Sequence, residues 1–413
     1  MLVVGLSLGF FWTSAQSITS PYTNFGIGEL NNFSLPHQFG MANVGNSGPH
    51  AYYINLQNPA LLTYNVLTSF QIGLKGDMRS YNTENFSTSD NTGSISQMVL
   101  AVPLKISKWT SAVSLLPYSS VNYNLYSNQL VLNSTDSVSN LFEGSGGLSQ
   151  LSWSHGVRVQ ENLNLGVRAS YVFGSISRSV TNTIFTLATN DGFIVNYEDF
   201  INYSDIVFAA AAAYRIKLAD KKFVHLGVVY DFPGKLNGSK TETLSRQTAQ
   251  GGLISEVNIA EDDPTSFQLP TKLSLGISIE NISKFQLGVD ASLLQWASTN
   301  GENGSTLKNS LSIALGGQFT PDFKDVNNYL KRLDYRFGAG YKQLPYMVNG
   351  REINEFGINF GVSFPTKNFS SIDTGFRFGT RGEIAENLIR ENFAQIILGL
   401  TINDRWFIKR RYD

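Results

Sequence analysis

Few residues in this sequence could do covalent or metal chemistry, and they are scattered. There are four histidines, His37, His50, His155 and His225, and no cysteine. The missing thiol excludes a disulfide framework, a Cys-ligated zinc site, a cysteine nucleophile and an iron–sulfur cluster. No HExxH or other ligand spacing joins the histidines, and the serine-rich stretches lack a GxSxG elbow. Asp262-Asp263 has no EF-hand spacing around it and reads as a solvated acidic pair. The expectation is a chain with no catalytic residue, no metal and no cofactor, hence not an enzyme. What remains is a set of charges placed at alternate positions in apolar runs: Arg158, Arg168, Asp290, Arg336 and Arg377. Such charges need a polar space to face, so the question becomes which elements create it.

Composition narrows the answer. Charged residues make up 15% of the 413 residues, against about 25% in an ordinary soluble domain. Aromatics reach 12%, hydrophobic residues 42%, and the net charge is -1. That balance carries no basic footprint for nucleic acid, and the apolar content argues against wholesale disorder. No internal apolar run approaches the roughly 18–20 residues of a membrane helix. The longest, Ile206 to Tyr214, is about half of that. A chain that spans a membrane without such helices does so as a closed barrel, which pairs every backbone N–H and C=O inside lipid.

The pattern from Leu67 onward is that of a barrel. Leu163, Leu165, Val167, Ala169, Tyr171 and Phe173 share one parity, and Asn164, Gly166, Arg168, Ser170 and Gly174 share the other. Period-two alternation puts oil on one face and a polar medium on the other. Fourteen such strands are expected, over 67–82, 95–106, 109–126, 147–159, 163–177, 200–217, 222–233, 270–280, 284–297, 309–320, 332–342, 352–364, 370–380 and 390–403. Even strand numbers are the rule for bacterial single-chain membrane barrels. Brief turns alternate with longer connections, the longest near 234–269, as periplasmic turns alternate with extracellular loops. Pro321 to Lys331 breaks the alternation and suggests a short periplasmic helix. The charges fall on the polar parity, where an Arg or Lys avoids the roughly 2–4 kcal/mol cost of facing mid-bilayer lipid. Ala209 to Ala213 puts small residues on both faces of one strand, for close contact with protein or to fit the barrel's taper. Trp406, Phe407 and Tyr412 suit a rim of interface anchors.

Two segments lie outside the alternation. Met1 to Trp12 is apolar and is followed by Thr13-Ser14-Ala15, a signal-peptide pattern for residues 1–15, without its basic n-region. A buried N-terminal element is the competing reading. Residues 16–66 are rich in Gly, Asn and Pro and contain no Lys or Arg. Such a stretch is a periplasmic extension or a plug folded into the lumen, and its small residues favour packing against other backbone.

The motif Phe39-Gly40-Met41-Ala42-Asn43-Val44-Gly45, followed by Asn58-Pro59-Ala60, resembles the hatch region of the FadL/OmpP1/TodX family of outer-membrane proteins. With the tail Asn403 to Asp413, the chain is similar to that family's Bacteroidota branch. The resemblance implies an all-β fold: a 14-stranded antiparallel transmembrane β-barrel, residues 67–403, with an N-terminal hatch, 16–66, in the lumen. A periplasmic tail, 404–413, follows, and the location is the bacterial outer membrane with its lipid as solvent. It further implies passive uptake of hydrophobic small molecules, of fatty-acid or aromatic-hydrocarbon type, with a lateral exit where the third strand is interrupted. Leu116-Pro117-Tyr118 is the counterpart here, either a gate or a structural bulge; Leu115, Val121, Tyr123 and Leu125 share parity across it, so the strand is expected to resume in register with Leu116, Tyr118 and Tyr126 facing inward. Phe39, Met41, Leu56, Leu61 and Tyr126 are the candidate ligand contacts. Some barrels resembling this family serve instead as subunits of secretion or barrel-assembly complexes, and the charged lumen fits that alternative equally.

Overall fold

The computed structural model describes residues 20–84, 86–130, 137–186, 191–299, 307–348, 350–366, 369–385 and 388–406. The expected leader, 1–15, and the last residues of the tail, 407–413, lie outside them. In chain order the first strands are β1 (Glu29–Leu30), β2 (Thr68–Asn82), β3 (Ser87–Lys105), β4 (Trp109–Ser120), β5 (Tyr123–Leu130) and β6 (Ser137–Arg158). Then come β7 (Leu163–Thr186), β8 (Asp191–Ala219), β9 (Lys222–Asp231), β10 (Gly234–Thr248), β11 (Leu253–Leu269) and β12 (Lys272–Asn281). The last are β13 (Phe285–Leu294), β14 (Ser310–Phe319), β15 (Asp334–Val348), β16 (Arg351–Pro365), β17 (Ser371–Arg381) and β18 (Arg390–Asp404).

Pairing is antiparallel throughout, and β18 returns to β2 with Asp404 opposite Thr68 and Arg390 opposite Asn82. The result is a closed barrel of 14 strands. Three of them are broken. β5 continues β4, β10 continues β9 beyond a kink at Phe232-Pro233, and β11 leads into β12 across Pro270-Thr271. Closure removes the sheet edges that lipid could not satisfy.

Burial is inverted relative to a soluble protein. Val167, Ile277 and Phe337 are each more than half exposed, while their strand neighbours Arg168 and Arg336 and nearby Ser278 are buried. Apolar side chains face outward to lipid, and polar ones face the lumen. The inward Ala209, Ala211 and Ala213 are buried, and Ala211 and Ala213 pack with Ala60 and Leu61 of the N-terminal segment. Small residues here make room for protein inside the barrel.

Three local expectations are corrected. The stretch 234–269 is no loop: β10 and β11 pair with each other, and β10 also pairs with the outer part of β8. Its Ser, Thr and Gln content misled because both faces of a strand outside the bilayer meet water, so apolar alternation has no cause there. Between Pro321 and Lys331 no α-helix forms, and only a 3-10 turn at Tyr329–Arg332 is present. Finally, β4 does not keep one parity across Pro117. Opposite β6, Pro117 pairs with Ser149 but Ser119 pairs with Leu148, a bulge at Tyr118. One extra residue exchanges the two faces: Leu115 is exposed, while Val121 and Tyr123 are buried.

Candidate functional site

Residues 20–66, the inner segment, contain only short elements: 3-10 turns at Pro21–Asn24 and Pro59–Tyr64, one helical turn at Pro36–Phe39, and β1. They cannot satisfy their own backbone, and the wall supplies partners. The segment follows the wall strand by strand. Pro36 lies on Gly399 of β18, Gly40 on Gly361 of β16, Met41 on Gly338 of β15, Asn46 on Gly227 of β9, and Ala60 on Gly166 of β7. A methyl group at Gly227 would overlap the Asn46 carbonyl oxygen. These inward glycines form a track on which a second backbone rests.

Polar clamps hold the segment to the track. The Asp290 carboxylate accepts the backbone N–H groups of Gly45 and Asn46, both at 2.8 Å. Arg168 donates to the Leu56 carbonyl at 3.0 Å, pairs with Asp231 at 2.5 Å and lies over the Phe33 ring. Asn359 donates to the Phe39 carbonyl at 2.6 Å. The Asn58-Pro59-Ala60 motif is a knot: Asn58 Oδ1 accepts from the Ala60 N–H at 3.0 Å, and its Nδ2 donates to the Asn46 carbonyl at 2.7 Å and to the Ala212 carbonyl of β8 at 3.3 Å. Asn55 ties the same knot, donating to the Gly45 carbonyl at 2.7 Å.

Two ionic clusters lie above and below. Toward the long-strand end, Glu29 meets Arg381 at 2.5 Å, Arg381 also pairs with Glu355, and Arg377 reaches Glu355 at 2.6 Å. Arg79 bonds Asp77 at 3.0 Å and Glu391 at 2.9 Å, and Ser20 donates to Glu391 at 2.5 Å. Arg381 and Arg79 hold the Glu29 carboxyl well below the usual carboxylate range, although burial alone would raise it. Toward the short-turn end, Arg336 pairs with Asp334 at 3.3 Å, donates to Ser363 and lies over the Tyr53 ring. His37 stacks on Tyr53 with ring centres 4.7 Å apart, and His50 lies 4.5 Å from the same ring. Burial, then the nearby Arg336, push the His37 pKa well below its ordinary value, and burial lowers that of His50.

Above the inner segment is a cavity of about 960 Å³. Among its described lining residues, eleven carry charge, including Lys75, Lys272, Lys342 and Arg377. A row of hydroxyls, Ser274, Ser292 and Ser312, crosses neighbouring strands to Lys342. Apolar residues such as Leu30, Leu269 and Leu294 line part of its wall. The cavity also meets a seam. β3 and β4 pair only from Met98 and Leu115 toward the short-turn end. Beyond that point the lining passes Ser96, Gln97, Pro117 and Tyr118, and β1 fills part of the gap by pairing Glu29 with Ser120 and Leu30 with Ser119.

The expected site residues therefore separate. Phe39, Pro117 and Tyr118 line the cavity. Met41 is pressed against Gly316 and Gly338, and Leu56 and Leu116 are sealed in a cluster with Leu35, Ile54, Leu62 and Val99. Leu61 is buried against alanines of β8. Tyr126 is 70% exposed and, after the slip at Tyr118, faces away from the lumen, which corrects its inward assignment. Arg158, Arg168, Asp290, Arg336 and Arg377 all sit on the inward parity; Arg158 bonds Asn164 at 3.2 Å and lies over the Tyr64 ring. The sequence pattern did not single out Glu29, Glu355, Arg381 and Glu391. One signal was available: Glu29 is the lone Asp, Glu, Lys or Arg between residues 16 and 66.

This architecture, an inside-out 14-stranded barrel enclosing its own N-terminal segment, matches the fold of FadL-type barrels. The chain belongs to the BamG family, whose sequence model matches residues 1–413. Solved structures agree at the level of fold. The CymD monoaromatic hydrocarbon channel is 15% identical with a TM-score of 0.59, covering 91% of this chain and 99% of its own. The Pseudomonas putida toluene transporter TodX is 14% identical with a TM-score of 0.60, covering 92% and 100%. A Pseudomonas aeruginosa FadL homologue is 15% identical with a TM-score of 0.57, covering 90% and 98%. No curated protein matches the chain.

Proposed function

We propose that this chain is a non-transporting barrel subunit of a Bacteroidota outer-membrane secretion or barrel-assembly complex. One observation carries the reading: the inner segment is bonded to the wall around the barrel, from β18 to β6, through the glycine track and buried ionic clamps. Moving it would pull Glu29 from Arg381 and Arg79, a buried pairing whose loss costs about 3–5 kcal/mol, and would take from Asp290 and Arg168 the backbone groups they bond. The charged cavity supports the same reading, because an apolar molecule filling it would strip water from side chains such as Lys272 and Lys342. Membership of the BamG family is compatible with it.

A second reading is passive uptake of a hydrophobic molecule of fatty-acid or aromatic-hydrocarbon type, with lateral release. The observation that favours it is the seam beside Pro117-Tyr118, next to Ser96 and Gln97, where the cavity reaches the wall. Under that reading Pro117 marks a gate; under the first it shapes a bulge that β1 seals.

Gentle extraction from native membranes separates the two. A complex subunit elutes with large partners in fixed ratio, and its deletion disturbs outer-membrane protein levels without slowing hydrocarbon or fatty-acid uptake. A chain that elutes alone, with uptake lost on deletion, reverses the assignment.

A further inference from the structure

The barrel closes on itself where β18 meets β2, but its extension has open edges. Beyond the bilayer β5, β6, β7, β8, β10 and β11 rise as one curved sheet. β11 closes one side of it and pairs only with β10, from Leu253 to Leu269. Below, its continuation β12 pairs on both sides, with β9 and β13. The partner strand β13 stops at Leu294, and the chain turns away at Trp296–Ser298. Among the described residues no strand covers the outer edge of β11.

A free edge is normally blunted by charge, proline or a bulge. The lower half of β11 is blunted: Glu261, Asp262, Asp263 and Pro264 stand there, with Asp262 at φ 52° and the register to β10 shifting. The upper half, Leu253 to Ile259, carries register shifts at Ile254 and Ile259, but between them Ser255 to Asn258 stands opposite Arg246 to Thr243 in unbroken register. This half reads Leu-Ile-Ser-Glu-Val-Asn-Ile, without proline or lysine, and its four aliphatic side chains are exposed by 53–61%. An exposed edge that keeps regular backbone over Ser255 to Asn258, with aliphatic side chains around it and no proline or lysine, is a place for another chain.

We propose that Leu253–Ile259 of β11 accepts an extended segment of a surface-exposed partner protein, which adds as a further strand. Backbone N–H and C=O groups along the open edge supply the affinity, as in β-strand addition generally. Charge selects the occupant. β11 carries four carboxylates, Glu256, Glu261, Asp262 and Asp263, and no basic residue. Nearby cations are engaged elsewhere: Lys240 pairs with Glu242 at 2.5 Å, and Arg246 lies over the Phe193 ring. The incoming strand is therefore one that carries aliphatic residues and is flanked by Lys or Arg. This inference rests on the complex-subunit reading and names the surface through which a partner is held.

Amide hydrogen exchange on the full-length chain tests it. In the chain purified alone in detergent, the outward-pointing amides of residues 254–258 exchange at near-random-coil rates. In the assembly recovered from native membranes they slow at least about 100-fold, while barrel amides of β16 and β17 are unchanged. Reversing the charge, with Glu256→Lys, Glu261→Lys, Asp262→Lys and Asp263→Lys together, abolishes that slowing and leaves β16 and β17 protected. Equal rates in the two preparations overturn the inference and leave the subunit reading intact, since co-elution is scored separately. Slow exchange already in the isolated chain, or slowing that survives charge reversal, also overturns it. A chain that elutes without partners overturns both readings.

Discussion

Arg381 on β17 grips Glu29 of the inner segment with both terminal nitrogens, Nη1 standing 3.0 Å from Oε2 and Nη2 2.5 Å from Oε1. The fork matches the carboxylate and gives orientation as well as attraction. Arg381 also serves Glu355 and Glu391, so its charge stays compensated when Glu29 alone is removed. Glu29→Gln keeps the shape but loses the charge. The expected result is a loosened β1 pairing, with amides of Gly28 to Asn31 exchanging about 100-fold faster and the wall unaffected. A loss of one buried partner costs about 3–5 kcal/mol, and the surviving neighbours of Arg381 put this case at the lower end. Arg381→Gln removes the cation shared by Glu29, Glu355 and Glu391, leaving Arg377 on Glu355 and Arg79 near the other two, and is expected to be the worse variant, reducing recovery of the folded barrel on unboiled gels.

Asp290 provides a second, cleaner test. One oxygen accepts two backbone N–H groups, from Gly45 and Asn46. Asp290→Asn can turn its carbonyl oxygen to the same place, so only the charge-assisted part of the bonds is lost, about 1 kcal/mol. Asp290→Leu leaves both N–H groups without an acceptor and costs roughly 2–6 kcal/mol. Limited proteolysis of residues 43–57 in the folded protein should therefore be near wild type for the first variant and much faster for the second. Equal susceptibility in both would show that the clamp does not hold the segment.

How far the sequence reveals this arrangement depends on the solvent each residue meets. Leu273, Leu275, Ile277 and Ile279 face lipid while the residues between them face the lumen, so alternation marks β12 closely. Outside the bilayer both faces meet water, the alternation lapses, and β10 and β11 pass for a loop. The slip at Tyr118 was invisible for a different reason. Pro117 announces a defect but not whether a residue is inserted, and that single residue decides which face Tyr126 takes. Arg168 and Asp290 were legible from parity, but their partners, the Leu56 carbonyl and the Gly45 and Asn46 N–H groups, are backbone atoms that carry no sequence signature.

The glycine track makes a steric prediction. Gly227 stands under the Asn46 carbonyl, and no side chain fits there without moving the inner segment. Gly93, on β3, serves as control: a methyl group there would meet nothing nearer than the Lys75 carbonyl oxygen, at 3.9 Å. Gly227→Val should displace Asn46, break the Asn58 knot and raise entry of a hydrophilic dye in cells, while the barrel still resists SDS without heating. Gly93→Ala should leave both readouts at wild-type values. A tight barrel with unchanged permeability in Gly227→Val would mean the segment adjusts around the side chain, and the track is no constraint.

Protonation at the short-turn end should weaken the docked segment. His37 is buried on Tyr53, with Arg336, Asp334 and His50 as its charged or titratable neighbours. Its pKa in the docked state lies well below the ordinary 6.5, and that of His50 is also lowered. A released segment would therefore bind more protons than a docked one below pH 6.5. The sign follows: docking is at full strength above that pH and declines as pH falls, by up to about 1.4 kcal/mol per pH unit for each histidine. Between pH 7.5 and pH 5.5, exchange of amides around Gln38 and Ile54 should accelerate. His37→Gln combined with His50→Gln should flatten the dependence, because neither replacement titrates. Glu29 works in the opposite range, since its depressed pKa adds stability that is lost only in acid below the ordinary carboxylate value of 4.5. A wild-type exchange rate constant from pH 7.5 to 5.5, after correction for intrinsic chemistry, would remove the histidines from this role.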